Sequence, residues 1–282
     1  MLDAAANADL IDEIRTGIDN KTLELPTLPE VALEIRDAVE NDTADAPMVA
    51  RMVAKDPALS ARLLQVANSP LYRGSSEVDS IQQAITRLGL KMVRSLVVSL
   101  AMRQIFQATS DTLDRQFRQL WDDSLQVAAI SHMLAAGIPQ LEREQAMLGG
   151  LVHNIGALPI LTKIDEHYGF SAGETVVAHM LDELGPEIGT HILKSWNFSE
   201  SLAVIPRACV DPGYDSGPDI GYADVVLAAR LQDLAAKGRL AQTTDLSRVP
   251  AFAKIGIQAE TMIIDMEGPA EEIAEVRSML VW

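Results

Sequence analysis

This amino-acid sequence predicts an all-α protein. Apolar residues make up 48% of the chain and aromatic residues only 4%. The core must therefore be built from Leu, Ile, Val, Ala and Met, a mixture that favours helices over sheets. Apolar residues recur at helical spacing along most of the chain, and no period-2 run is long enough to assign a strand. There is no 20–50-residue repeat and no low-complexity tract. With 282 residues the chain can bury one large core or two smaller ones.

The elements follow in order. Residues 1–24 are expected to form an N-terminal helix or extension. After the prolines of KTLELPTLPE, VALEIRDAVEN (31–41) has helical spacing, and Ala46-Pro47 opens a helix through MVARMVAKD. Asp56 is placed as an N-cap with Pro57 in the first turn, followed by Leu59, Leu63 and Val66 on one stripe. That helix should end near Asn68, because Ser69 precedes Pro70 and a residue before proline avoids the α region. NSPLYR (68–73) reads as a corner or as a partner-facing turn. Ser80 should cap SIQQAITRLG, with Gly89 as a break before an apolar helix over 90–106. That helix carries Lys91, Arg94 and Arg103, which favours a buried helix over a membrane span.

The polar segment 107–119 is the expected boundary between two helical lobes, 25–110 and 111–282. Beyond it, WDDSLQVAAISHMLAAG reads as a helix stopped by Gly137 and Pro139. EREQAMLGGLVHNIG reads as another, ending near Gly156. Gly185-Pro186 should start EIGTHILKSW. Ser199 should cap SESLAVIPRACV, which Pro206 kinks or shortens. VDPGYDSGPDIG (210–221) is a loop, and ADVVLAARLQDLAAKG and GPAEEIAEVRSMLVW are late helices.

The formal net charge of −17 repels phosphate backbones and argues against general nucleic-acid binding. The single cysteine, Cys209, permits no internal disulfide and fits a reducing cytoplasm. The N-terminal MLDAAANADLIDEI lacks the basic and apolar regions of a signal peptide. The phosphate-binding motifs GxxxxGK[ST] and GxGxxG and the nucleophile motif GxSxG are absent from the sequence.

Two sets of motifs point to a family. The first runs LPTLPEVALEI, AKDPALSARLLQVANSPLY and SIQQAITRLGLKMVRSLVV (25–98). The second is WDDSLQVAA followed by GGLVHNIGALPIL. In this order they resemble the HDOD family of bacterial signalling domains, over most of residues 25–210. The resemblance implies an all-α, multi-helix HD-like bundle, related to HD phosphohydrolases but generally without their metal ligands.

An active HD site needs His and Asp ligands converging from several helices, so that a metal can polarise phosphate and activate water. Against that pattern Asp123 stands where active relatives have His, and Asn154 follows His153 where they have Asp. Ala157 occupies a Lys position, and Cys209-Val210 matches a downstream His pair. The resemblance therefore marks Asp123, His153, Asn154 and Cys209 as vestigial metal-site positions and assigns neither catalytic residues, nor metal ligands, nor a cofactor.

On a helical wheel Leu148, Leu151, Val152 and Ile155 form one apolar stripe, with Gly149, Gly150 and His153 opposite. The two glycines mark either close helix packing or a ligand cleft. His132 reads as a core residue and Cys209 as a buried, inert thiol. His167, His179 and His191 have no helical ligand spacing, although they could converge in space.

The function expected from the resemblance is a non-catalytic regulatory scaffold in the cytoplasm. It would act through signalling proteins of cyclic-dinucleotide or two-component pathways, with a small nucleotide as candidate ligand of the old cleft. No membrane association is expected. The alternative is a divergent metal-dependent phosphohydrolase.

Overall fold

In a computed structural model, residues 4–20, 22–40, 45–106, 110–168, 174–257 and 268–281 are described. They form helices and connecting turns with no strand among them. The first six helices are α1 (Ala4–Asp19), α2 (Glu30–Glu40), α3 (Ala46–Val53), α4 (Pro57–Ala67), α5 (Ile81–Leu88) and α6 (Leu90–Ile105). The starts of α4 and α5 follow the predicted capping chemistry. Asp56 accepts from the backbone N–H groups of Ala58 (2.9 Å) and Leu59 (3.1 Å), with Pro57 opening the helix. Ser80 caps α5 through Gln83 N–H. Gly89, at φ +80°, separates α5 from α6 in a conformation that other residues rarely adopt. The stretch after α4 is a corner. Asn68 exchanges two hydrogen bonds with the backbone of Val78, at 2.8 and 2.9 Å.

The second half comprises α7 (Asp111–Ala135), α8 (Arg143–Val152), α9 (Ala157–Tyr168), α10 (Glu174–Ser195), α11 (Glu200–Ala203), α12 (Ile205–Ala208), α13 (Tyr222–Ala236), α14 (Pro250–Ile255) and α15 (Pro269–Leu280). From Asp111 onward the polar stretch 107–119 forms the first turns of α7, capped by Ser110, while residues 107–109 lie outside the described residues. Its polar residues face outward while Leu113 and Phe117 are buried at i, i+4, and Phe106 packs on Phe117 and Trp121.

One expectation is corrected: Pro186 lies inside α10 rather than at its start. Proline deletes one N–H there, while buried Leu184 and Ile188 keep the inner face of the helix packed. Pro206, by contrast, falls where the chain breaks into the short α11 and α12. α9, α14 and the first half of α10 lie outside the helices expected from the sequence.

Buried apolar residues from the helices of both halves pack into one connected cluster. The apolar run Arg143–His167 is long enough to cross a membrane but is mostly buried inside the bundle. Buried Arg62 on α4 donates to the carbonyls of Ser278 (3.2 Å), Met279 and Val281 (2.5 Å). It thereby answers the free C-terminal carbonyls of α15.

The tightest contact is between α7 and α8. A Cβ added to Gly150 would lie 2.5 Å from Ala128 Cα and 2.7 Å from its N, so the two backbones touch. Gly150→Ala gains about 1 kcal/mol of helix propensity but overpacks backbone against backbone at about 3 kcal/mol. A net loss of about 2 kcal/mol is expected in urea unfolding; an unchanged midpoint would mean that the helices separate freely.

Candidate functional site

The α8–α9 turn, residues 153–156, forms one wall of a cleft of about 260 Å³. The other walls come from α7, α10, α12 and α13. The turn is pinned by small residues. A Cβ on Gly156 would collide with the carbonyl of Gly185, and one on Gly149 would lie 2.6 Å from Ile205 Cδ1. Asp123, His153, Asn154 and Cys209 all line this cleft, as do Ala157 and Val210. Positions up to 87 residues apart in sequence (123 to 210) thus face one space.

Each of these side chains has a definite local role. His153 is buried, and its Nδ1–H donates to Gly150 O at 2.7 Å, which leaves Nε2 as a lone-pair acceptor. Burial, and then the charge of Arg230, push its pKa down from 6.5 to about 4, so the ring is neutral at pH 7. Asn154 bridges the turn to α7. Its Nδ2 donates to Leu120 O at 3.1 Å, and its Oδ1 pairs with Ser124 Oγ at 2.8 Å. Cys209 is buried, and desolvation raises its thiol to about 12, far from a thiolate nucleophile.

Asp123 is ion-paired on both oxygens, with Lys237 Nζ at 2.6 Å and Arg239 Nη1 at 3.3 Å. Lys237 also bonds Asp233 at 2.8 Å. Burial works against the ammonium charge, but the hydrogen bonds to the two carboxylates outweigh it and raise the lysine pKa. Asp233 is shifted upward, because burial outweighs the lysine.

Arg230, Asp233, Lys237 and Arg239 were not singled out in the sequence. The signal was present: 230, 233 and 237 fall at i, i+3 and i+7, one charged stripe on a mostly apolar helix.

These groups do not fit a catalytic divalent metal. Asp123 is committed to two cations, and Asn154 offers a neutral oxygen that already pairs with Ser124. Among the described residues no three His, Cys, Asp or Glu side chains are placed to hold an ion.

The remaining histidines lie elsewhere and apart. His167 pairs with Glu13 and His179 with Glu183, while His191 is exposed beside Trp196. His132 is buried near Arg143, and burial followed by that charge lower its pKa to about 3. Its 3.9 Å approach to Glu272 is therefore no ion pair at neutral pH, and Arg143 takes the carboxylate instead.

The family model for the HDOD domain matches residues 25–209. The chain belongs to the HDOD family. This HDOD chain is 28% identical over 216 residues to an uncharacterised Treponema pallidum protein, covering 71% of this chain and 38% of that one. It is 31% identical over 129 residues to the cyclic di-GMP phosphodiesterase CdgJ of Vibrio cholerae, covering 45% of this chain and 28% of CdgJ. It thus spans well under half the length of both curated relatives. A crystal structure of a Shewanella amazonensis protein, provisionally described as a metal-dependent phosphohydrolase, has 27% identity and a TM-score of 0.83. The match covers 98% of this chain and 100% of the other. The fold is thus the HD-like phosphohydrolase and HDOD fold.

Asn154→Asp would replace the donor to Leu120 O with an anionic oxygen facing it. A loss of about 1–3 kcal/mol at pH 7 is expected, with no metal uptake. Denaturation together with metal analysis checks this, and a stabilised, metal-loaded variant would contradict it.

His153 makes stability depend on pH. The unfolded chain takes up this proton below about 6.5 and the folded chain only near 4. Stability is therefore full above 6.5 and falls as pH drops towards 4, by at most about 3 kcal/mol. His153→Gln should flatten that window in unfolding curves without abolishing it, because His132 acts with the same sign.

Proposed function

We propose that this HDOD chain is a non-catalytic signalling module of the bacterial cytoplasm that acts by binding other proteins. The observation that carries the reading is the state of the cleft. Its two inner carboxylates are held by Lys237 and Arg239, and its Asn154 is tied into α7. A hydrolytic metal must displace those cations and desolvate the same carboxylates, which is costly for paired groups at a half-buried site. The single buried cysteine suits a reducing compartment.

The pathway is read from kinship. CdgJ is a cyclic di-GMP phosphodiesterase, so partners in cyclic-dinucleotide signalling are the first to test. Two-component proteins are the next class.

The second reading, a divergent phosphohydrolase, is favoured by the description of the Shewanella relative. One experiment separates the two. The purified protein is analysed for Mn, Fe, Zn and Mg and assayed against bis(p-nitrophenyl) phosphate, cyclic di-GMP and mononucleotides. Substoichiometric metal and no turnover are expected. Stoichiometric metal, with activity lost in His153→Ala, would overturn the proposal.

A further inference from the structure

Arg230 differs from the other cations of the cleft. It projects from α13, half-buried, and its Nη1 donates to the carbonyl of Cys209 at 2.5 Å. Lys237 and Arg239 both pair with Asp123, but among the described residues no carboxylate lies within ion-pair distance of Arg230. Asp182 also lines the cleft, exposed and outside that distance. A guanidinium stays charged at every accessible pH and carries five N–H donors. One carbonyl answers only part of that fork, and the remaining N–H groups, which are not buried without a partner, are open to an acceptor in the cleft.

The surroundings define what that acceptor must look like. His153 offers only the lone pair on Nε2, so it accepts a hydrogen bond and gives none. Leu120, Leu181 and Leu234 supply aliphatic wall. A volume of about 260 Å³ lies near the lower end of small-molecule sites and admits one small ligand rather than a macromolecule.

We infer that the cleft binds a small organic oxyanion, a carboxylate or a phosphate ester, whose acid group lies on the Arg230 fork. An N–H or O–H of the ligand donates to His153 Nε2, and its body rests against the leucines. This rests on the reading of the cleft as non-catalytic, since a metal there would compete for the same space. No bond is made or broken, so the ligand is a signal rather than a substrate.

The test is isothermal titration calorimetry on the full chain in EDTA, with benzoate, GMP and their neutral counterparts benzyl alcohol and guanosine. EDTA keeps metal out, so failure here leaves the turnover assay untouched and the reverse also holds. At least one anion should bind with Kd below about 1 mM, and its neutral counterpart at least about tenfold more weakly. Arg230→Gln should lose at least about tenfold in affinity, while Arg207→Gln, exposed and outside the cleft, should not. Binding of benzoate alone assigns a carboxylate, and of GMP alone a phosphate ester.

The absence of anion binding up to about 10 mM, or equal affinity in Arg230→Gln, would overturn the inference. Should that variant fail to fold, phenylglyoxal labelling of the unmodified chain decides. The bound anion should protect the Arg230 peptide, and an unprotected peptide counts against the site.

Discussion

Direct backbone contact between helices is the constraint on which the cleft depends. Gly150 lets α8 lie against Ala128 of α7, and Gly149 admits Ile205 and Val226. Gly156 does the same against Gly185 and Gly189 of α10, and Gly189 in turn meets Pro206. The contacts at Gly150 and Gly156 remove a side-chain layer that normally separates packed helices by 8–10 Å or so. Four helices thereby close around the single turn 153–156. Helix-forming residues at these positions would strengthen each helix alone, yet they would push the walls apart and dissolve the site.

Close packing has an electrostatic consequence. Bringing α13 beside α7 places Lys237 and Arg239 on Asp123, and Lys237 also on Asp233. Two carboxylates face two cations, so the pairs neutralise one another inside a protein whose overall charge is −17. Exposed Asp182 balances Arg230 in formal charge, but among the described residues Arg230 has no carboxylate within ion-pair distance. That explains why burial and Arg230 act together on His153, both opposing its imidazolium form.

Much of the fold was legible in the sequence because caps and prolines act locally. Asp56-Pro57, Ser80 and Gly89 set helix ends that need only their neighbours. The errors came where distant packing overrode a local signal. Pro186 is a helix breaker by sequence, but α10 runs through it, with Leu184 and Ile188 buried on its inner face and Gly156 against Gly185 and Gly189. The helix over the polar stretch from Asp111 was not legible because its apolar residues are few; Leu113 and Phe117 suffice once Phe106 and Trp121 supply partners. In the cleft, the family pattern located Asp123, His153, Asn154 and Cys209 but not the cations. Asp123 meets its partners 114 and 116 residues away, a pairing that no sequence spacing encodes.

Asn154 illustrates why a one-atom difference from a metal ligand is not a near miss. A carboxylate needs donors or cations around it, whereas position 154 faces the main-chain carbonyl of Leu120, which can only accept. The amide satisfies that carbonyl with Nδ2 and Ser124 with Oδ1, so the local backbone selects Asn on structural grounds alone. The adjacent His153 is likewise fixed, because Gly150 O claims its Nδ1 proton. An aspartate at position 154 would therefore not by itself create a metal site. It would place a charge against a carbonyl while Asp123 remained bound to Lys237 and Arg239. A carboxylate-rich metal site in this cleft would require changes on α7, on the α8–α9 turn and on the charged stripe of α13 together, since each supplies half of an interaction that another completes.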